Sequence, residues 1–362
     1  MERFASEIRV ISRKSRSYAI RYFISRILRL GPQSHQLMFS ESQPIHKSLS
    51  VLKKVDEAYI SSVQHPRDIH VESHAFSPRY LVRGSNISVD TITGIITLEN
   101  GNFVVESSSW SKQDLELNVV HRSQHFQEVK VSTGKSVLLP SNGFYHWLLE
   151  DLPLYLRLLK EKRQEGTSLN TFVYVSAPSY VRDFLSWMSI EGINLERFAS
   201  FEEMEFISRG DDTGWPRTED INILRDTFAP LILEKKSARK IYISRINASR
   251  STHYEKELTT LLAADGWNIL YPETLSLTEQ IQKISEARVL CGLHGAGLAG
   301  MVWMNSSATV IEISRETLSR ACFARLANSC RLKYFWLSDD SMDISNLFTA
   351  ISKLSESDTP AF

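Results

Sequence analysis

From Val137 onward, short apolar runs alternate with stretches of helical periodicity, and this alternation limits what the 362-residue chain can fold into. Val137-Leu138-Leu139-Pro140 and Phe172-Val173-Tyr174-Val175 read as strands, with helices over 143–162 and 179–190. After Pro216 and Pro230 the pattern restarts. Strands at 240–244, 267–270, 288–291, 309–313 and 334–337 are separated by helices at 253–264, 276–286, from 296 and at 318–329, and a last helix covers 343–354. Strands that are apolar on both faces need helices on both sides, so a parallel sheet follows. Ahead of it, Asn86–Asp90, Gly94–Leu98, a turn at Glu99-Asn100-Gly101-Asn102 and Phe103–Glu106 read as short strands. The expected architecture is α/β, with two Rossmann-like domains facing across a cleft and a β-rich subregion over residues 80–130. The expected units are a basic helix over 1–32, a first α/β domain over 33–234 and a second over 235–362.

Lysine plus arginine equals aspartate plus glutamate, 42 against 42, so no global field draws the chain to nucleic acid. The imbalance is local: residues 1–30 hold eight basic side chains and two acidic ones, a net of +6. Ile20, Phe23, Ile24, Ile27 and Leu28 form one helical stripe there, with arginines around the rest. Such a helix adsorbs to an anionic bilayer or packs its stripe on the domain. Three cysteines without CxxC spacing suit neither a disulfide framework nor a zinc site. With no apolar run long enough to span a bilayer or form a secretory signal, the expected address is cytoplasmic, peripheral at the inner membrane face if the basic helix binds there.

Ligands of α/β sheets bind beyond the carboxyl ends of strands, so motifs there matter most. Cys291-Gly-Leu-His-Gly-Ala-Gly-Leu-Ala-Gly300 follows a strand and opens a helix, where glycines admit a ligand and free N–H groups favour phosphate. Gly295, Gly297 and Gly300 also satisfy GxGxxG, with Glu312 placed 17 residues on for a ribose, so an NAD(P)-dependent oxidoreductase is one reading. His146 and Glu150, at i and i+4 on a helix that starts after a strand, suit a general base and its orienting partner. Their other reading is a surface pair beside core residues Phe144, Trp147, Leu148 and Leu152. Arg245 and Arg250 flank the end of the strand at 240–244 and suit a diphosphate clamp, or are solvated surface charges.

Taken in order, these residues resemble glycosyltransferase family 61, a group common in capsule and exopolysaccharide biosynthesis. The resemblance rests on His146-Trp-Leu-Leu-Glu-Asp-Leu-Pro153, then Arg245, Arg250 and Glu255, then Glu279-Gln280, then His294–Leu298, then Glu312. Tyr254 stands where the family often has Asn, and Ala299-Gly300 where Thr-Asn is frequent. The resemblance implies a two-domain glycosyltransferase B (GT-B) fold and an inverting, metal-independent transfer of sugar from a nucleotide-sugar donor, with no cofactor. The sequence carries no Asp-x-Asp motif to hold a divalent ion. The implied donor contacts are Arg245, Arg250, Glu279, Gln280, His294, Gly295, Ala296, Gly297 and Leu298, with Glu312 on the ribose. Glu150, or His146 polarised by it, would take the proton of a glycan or lipid-linked acceptor, with Asp151 in reserve. A catalytically silent module that binds glycans or partners is the third reading.

Overall fold

The computed structural model describes residues 49–64, 71–98, 103–104, 129–131, 135–209, 213–233, 239–247, 252–315, 321–340 and 343–357. The basic helix expected over 1–32, the 99–102 turn, Arg250 and the 235 boundary lie outside the described residues. The described chain is α/β, built on two large sheets and a hairpin.

The first sheet has nine strands. β8 (Ser136–Leu138), β9 (Asn170–Tyr174), β10 (Gly192–Leu195) and β11 (Phe198–Ile207) run parallel, in the order β10-β9-β8-β11. Helices α1, at 144–164, and α2 (Ser179–Trp187) make the crossovers. On the other side β11 pairs antiparallel with β4 (Arg79–Asp90), which also carries β1 (Leu49–Asp56) and β5 (Ile96–Thr97). β6 (Phe103–Val104) extends β5, and β7 (Val129–Val131) joins β11. The β-rich stretch expected over 80–130 is therefore no separate subregion where it is described, since β4 is a central strand of the main sheet. β2 (Tyr59–Gln64) and β3 (Val71–Phe76) form the hairpin, and α3 (Thr218–Phe228) leads to the second half.

There β12 (Arg239–Ile243), β13 (Asn268–Leu270), β14 (Ala287–Leu293), β15 (Thr309–Ser314) and β16 (Lys333–Ser338) are all parallel, in the order β13-β12-β14-β15-β16. α4 (Glu255–Ala264), α5 (Leu277–Ser285), a 3₁₀ helix (Ala296–Trp303), α6 (Cys322–Ser329) and α7 (Ile344–Ser355) follow these strands in turn. The helix expected from 296 is thus a 3₁₀ helix. Leu298 to Trp303 are buried all round, so no polar face requires the 3.6-residue period.

One apolar cluster runs through both halves, from Trp147 and Phe184 to Leu290 and Trp303. Trp187 stacks on Phe228 at 4.7 Å, and Phe228 meets Trp303 edge-on at 5.1 Å. Arg225 of α3 donates to the carbonyls of Val302 and Met304, at 2.7 and 3.0 Å, and so caps the end of the 3₁₀ helix. These contacts set α3 against the 3₁₀ helix, which the first turn of α1 also touches. Among the described residues no helix is long and apolar enough to cross a membrane.

Candidate active site

The second sheet reverses direction between β12 and β14, because the chain leaves β12 for β13 on one side and returns to β14 on the other. A crevice opens at the carboxyl ends of two such neighbours. Arg245 stands at the end of β12 and the glycine loop at the end of β14. Gly295 has extended backbone, φ 173°, so its value lies in space: a β-carbon there would come within 2.6 Å of the Arg245 guanidinium carbon. That guanidinium donates to the His294 carbonyl. A β-carbon on Gly297 would meet Ile243 at 2.7 Å. The first donor inside the 3₁₀ helix is the Leu298 N–H, 3.0 Å from the Gly295 carbonyl, so the amides of Ala296 and Gly297 precede its ladder on a partly exposed rim. Leu298 itself is fully buried and packs in the core, which removes its side chain from the donor contacts.

His294 is fixed from several directions. Its N–H donates to the Ile313 carbonyl at 2.8 Å, and its Nδ1 lies 2.5 Å from Glu312 Oε1. Glu312 Oε2 accepts from the Tyr334 hydroxyl, and the carboxylate is 3% exposed. This corrects the expectation for Glu312: with one oxygen on an imidazole and the other on a phenol, the buried carboxylate is no ribose ligand. It also removes the acid that a dinucleotide fingerprint requires.

His146 and Glu150 do face each other, with Nδ1 2.9 Å from Oε2. The helix carrying them starts as α over Phe144–His146, passes through a π turn at Trp147–Asp151 and resumes over Leu152–Gln164. Pro153 explains the wide turn, since it has no N–H to return and its ring crowds the carbonyl of Leu149. Glu150 Oε1 accepts from the Thr213 hydroxyl at 2.8 Å and the Gly214 N–H at 3.1 Å. Glu150 is thereby anchored as an orienting group, while the His146 side chain keeps 39% of its surface exposed. Asp151 is a second correction. Its carboxylate is 1% exposed and ion-paired with Arg209, so no acceptor hydroxyl reaches it. Burial pushes that guanidinium down to about 10.

A chain of rings links the two imidazoles. His146 meets Tyr145 edge-on at 5.5 Å, Tyr145 meets Phe323 at 5.6 Å, and Phe323 meets His294 at 5.1 Å. Tyr145 is half-buried between the two rings. Burial first, then Cys322, Glu150 and Glu312, raise its phenol well above the usual range.

The remaining expected donor contacts serve the loops. Glu279 closes the capping box of α5, where hydrogen bonds from Ser276 lower its carboxyl. Gln280 donates to the carbonyls of Pro272 and Leu275, at 3.0 and 3.2 Å, and so shapes the turn after β13. Glu255 is buried and accepts the Arg245 N–H, which fixes the chain at the end of β12; burial raises its carboxyl. Sequence reasoning missed Tyr145, Thr213, Phe323 and Tyr334. It also missed Arg325, which bonds Glu72 at 2.7 Å and the Gly214 carbonyl at 3.3 Å, and lies 4.0 Å from the Trp215 ring centre. Tyr145 precedes His146 within the stretch Gly143–Pro153 but carries no chemistry that the spacing marks, and the other four stand in no motif. Among the described residues no three His, Cys, Asp or Glu side chains gather as a metal site does.

No curated protein matches the chain. The family model described as Glycosyltransferase 61 matches residues 144–311, from the first turn of α1 into β15. That stretch holds His146, Glu150, Arg245 and the whole glycine loop, and ends one residue before Glu312. Over these residues the chain is similar to glycosyltransferase family 61.

Proposed function

We propose that the protein transfers a sugar from a nucleotide-sugar donor to a hydroxyl of a glycan or lipid-linked acceptor, by an inverting single displacement without a metal. The observation that carries this reading is the pair of imidazoles, each held at Nδ1 by a carboxylate and joined through Tyr145 and Phe323. One lies on α1 of the first half and the other on the glycine loop of the second, as a GT-B division between acceptor and donor sides requires.

With Nδ1–H given to Glu150, the neutral His146 ring presents Nε2 as a base. It takes the proton of the acceptor hydroxyl as that oxygen attacks the anomeric carbon. The bond from this carbon to the phosphate oxygen breaks on the opposite face, its electron pair leaves with the nucleoside diphosphate, and the configuration inverts. Arg245 and the Ala296 and Gly297 amides supply positive charge where that negative charge grows. Glu279 and Gln280 contribute through the loops they hold, and the sequence adds Arg250 to the expected diphosphate contacts. Residues 1–30 would bring the enzyme to an anionic membrane surface on the cytoplasmic side, where lipid-linked or growing polysaccharide acceptors lie.

A thermal-shift panel of UDP-, GDP- and CMP-linked sugars, with and without EDTA, tests the donor half. A ligand at about a hundred times its Kd adds roughly 2.7 kcal/mol to the native state. One compound should stabilise the wild type with or without EDTA and lose its effect in Arg245→Ala. Stabilisation by NAD alone would overturn the reading.

A further inference from the structure

The histidine of the glycine loop rests on a carboxylate and a phenol for which the proposed reaction has no stated use. We infer that Glu312 and Tyr334 are positioning residues that hold His294 with its Nε2 toward the leaving diphosphate; this rests on the transferase reading above.

The three groups come from consecutive neighbours of the sheet: His294 just past the end of β14, Glu312 near the end of β15 and Tyr334 near the start of β16. Register brings them within reach: Leu293, next to His294, pairs with Ile313, next to Glu312, and Tyr334 pairs with Val310, two residues before Glu312, so its hydroxyl reaches the carboxylate diagonally. Glu312 is enclosed, its Oε1 on His294 Nδ1 and its Oε2 on the Tyr334 hydroxyl. The second bond stops the carboxylate from turning, so the first sets the plane of the imidazole. The His294 main chain is held independently, through Ile313 and Arg245, and Phe323 bears on the ring edge at 5.1 Å. Nε2 is then the ring's remaining polar atom, directly before the glycines that admit phosphate.

In the donor complex the ring carries both protons. Nδ1–H stays on Glu312 and Nε2–H on a phosphate oxygen, so that carboxylate, imidazolium and diphosphate alternate in sign. When the bond from the sugar to phosphate breaks, its electron pair stays on the diphosphate and Nε2–H stabilises it; no proton has to leave the ring. Glu312 and Tyr334 touch neither sugar nor phosphate in this arrangement.

Long-range ¹H–¹⁵N spectra of the full chain, labelled at histidine, read the ring directly, with the His294 signal identified by its loss in His294→Asn. Wild type should show a proton on His294 Nδ1 before any ligand is added, and inorganic pyrophosphate or UDP should shift Nε2. Tyr334→Phe, which keeps the ring volume, should blur or displace the Nδ1 signal and weaken pyrophosphate binding about 3- to 10-fold, as one lost hydrogen bond does. Glu312→Gln should remove the low-field Nδ1 proton. A bare Nδ1 in the wild type overturns the inference. So does pyrophosphate binding that depends on Arg245 but leaves Nε2 unmoved, and in that case the transferase reading stands. If neither pyrophosphate nor UDP binds the wild type, the transferase reading fails and the inference falls with it.

Discussion

Both histidines, His146 and His294, are held at Nδ1 by a carboxylate, yet the two pairs are built in different ways. His146 and Glu150 are one helical turn apart, with 39% and 14% of their side-chain surface exposed. His294 follows the end of β14 and Glu312 sits on the neighbouring parallel strand β15, with 13% and 3% exposed. An exposed imidazole can exchange protons with water and with an incoming hydroxyl, which suits a base that must be reset each turnover. An enclosed one has its charge set by fixed neighbours, which suits a group that answers the charge of a bound ligand. On the function proposed above, burial assigns the same two residue types different tasks.

Replacing His146 by Gln gives the largest effect expected from this contrast. The ring size is approximated and the base is lost, so transfer should fall by roughly a hundred- to ten-thousandfold, the range for removing a positioned general base. Nucleotide affinity should stay unchanged, because His146 lies on α1 and the expected phosphate contacts lie beyond β12 and β14. Isothermal titration with UDP beside a product assay separates the two. An equal loss of binding and turnover would mean that the division of tasks between the pairs is wrong.

Gly295→Ala probes the buried side more gently. The new β-carbon would press on the Arg245 guanidinium, which is the end of a flexible side chain and can move aside. Displaced, it loses the His294 carbonyl, and nucleotide affinity should drop about tenfold, as for one charge-assisted hydrogen bond. In an Arg245→Ala background the same change should cost little more. Additive losses in that double-mutant cycle would show that the glycine is needed for another reason.

The contrast also explains what the sequence disclosed. His146 and Glu150 were legible because a helix brings i and i+4 together whatever surrounds it. Glu312 was read as a ribose ligand because its distance from the glycines is visible, whereas the Tyr334 hydroxyl reaches it only through the pairing of β15 with β16. β11 went unread for a related cause. Its Glu202, Glu203 and Glu205 break the apolar pattern, yet Glu205 is wholly buried because Lys162 of α1 and Arg83 of β4 meet it at 2.6 and 2.8 Å. Partners from distant elements make a central strand out of a segment that looks polar. The alternation from Val137 on remained legible because it needs only local periodicity, although the 3₁₀ character of Ala296–Trp303 did not show.

A smaller effect is expected at Arg325, which ties the loop anchoring Glu150 to the β2–β3 hairpin. Arg325→Ala removes the Glu72 ion pair and the contact with Trp215, and should lower stability by about 1–2 kcal/mol in urea unfolding. Because the Gly214 carbonyl also loses its partner there, transfer should fall several-fold while UDP affinity holds. A loss confined to stability would show that the loop keeps Glu150 in place without this tie.

The smallest effect concerns pH and a second buried carboxylate, the one beside Arg245. Glu255 accepts the Arg245 N–H, but burial outweighs that bond and raises its carboxyl above the ordinary range. The folded protein therefore holds the Glu255 proton more tightly than the unfolded chain does. This favours folding fully below the unfolded carboxyl value, and the contribution is lost as pH rises through the raised folded value. Glu255→Gln keeps an oxygen for the Arg245 N–H and removes the charge. It should raise the melting temperature by a few degrees at pH 7, and the gain should shrink toward pH 4, where the wild-type carboxyl is protonated in the fold. The opposite trend, a variant that gains at low pH and loses at neutral pH, would mean that the native Glu255 charge is stabilised, and that the second half tolerates a buried anion beside Arg245 as well as beside His294.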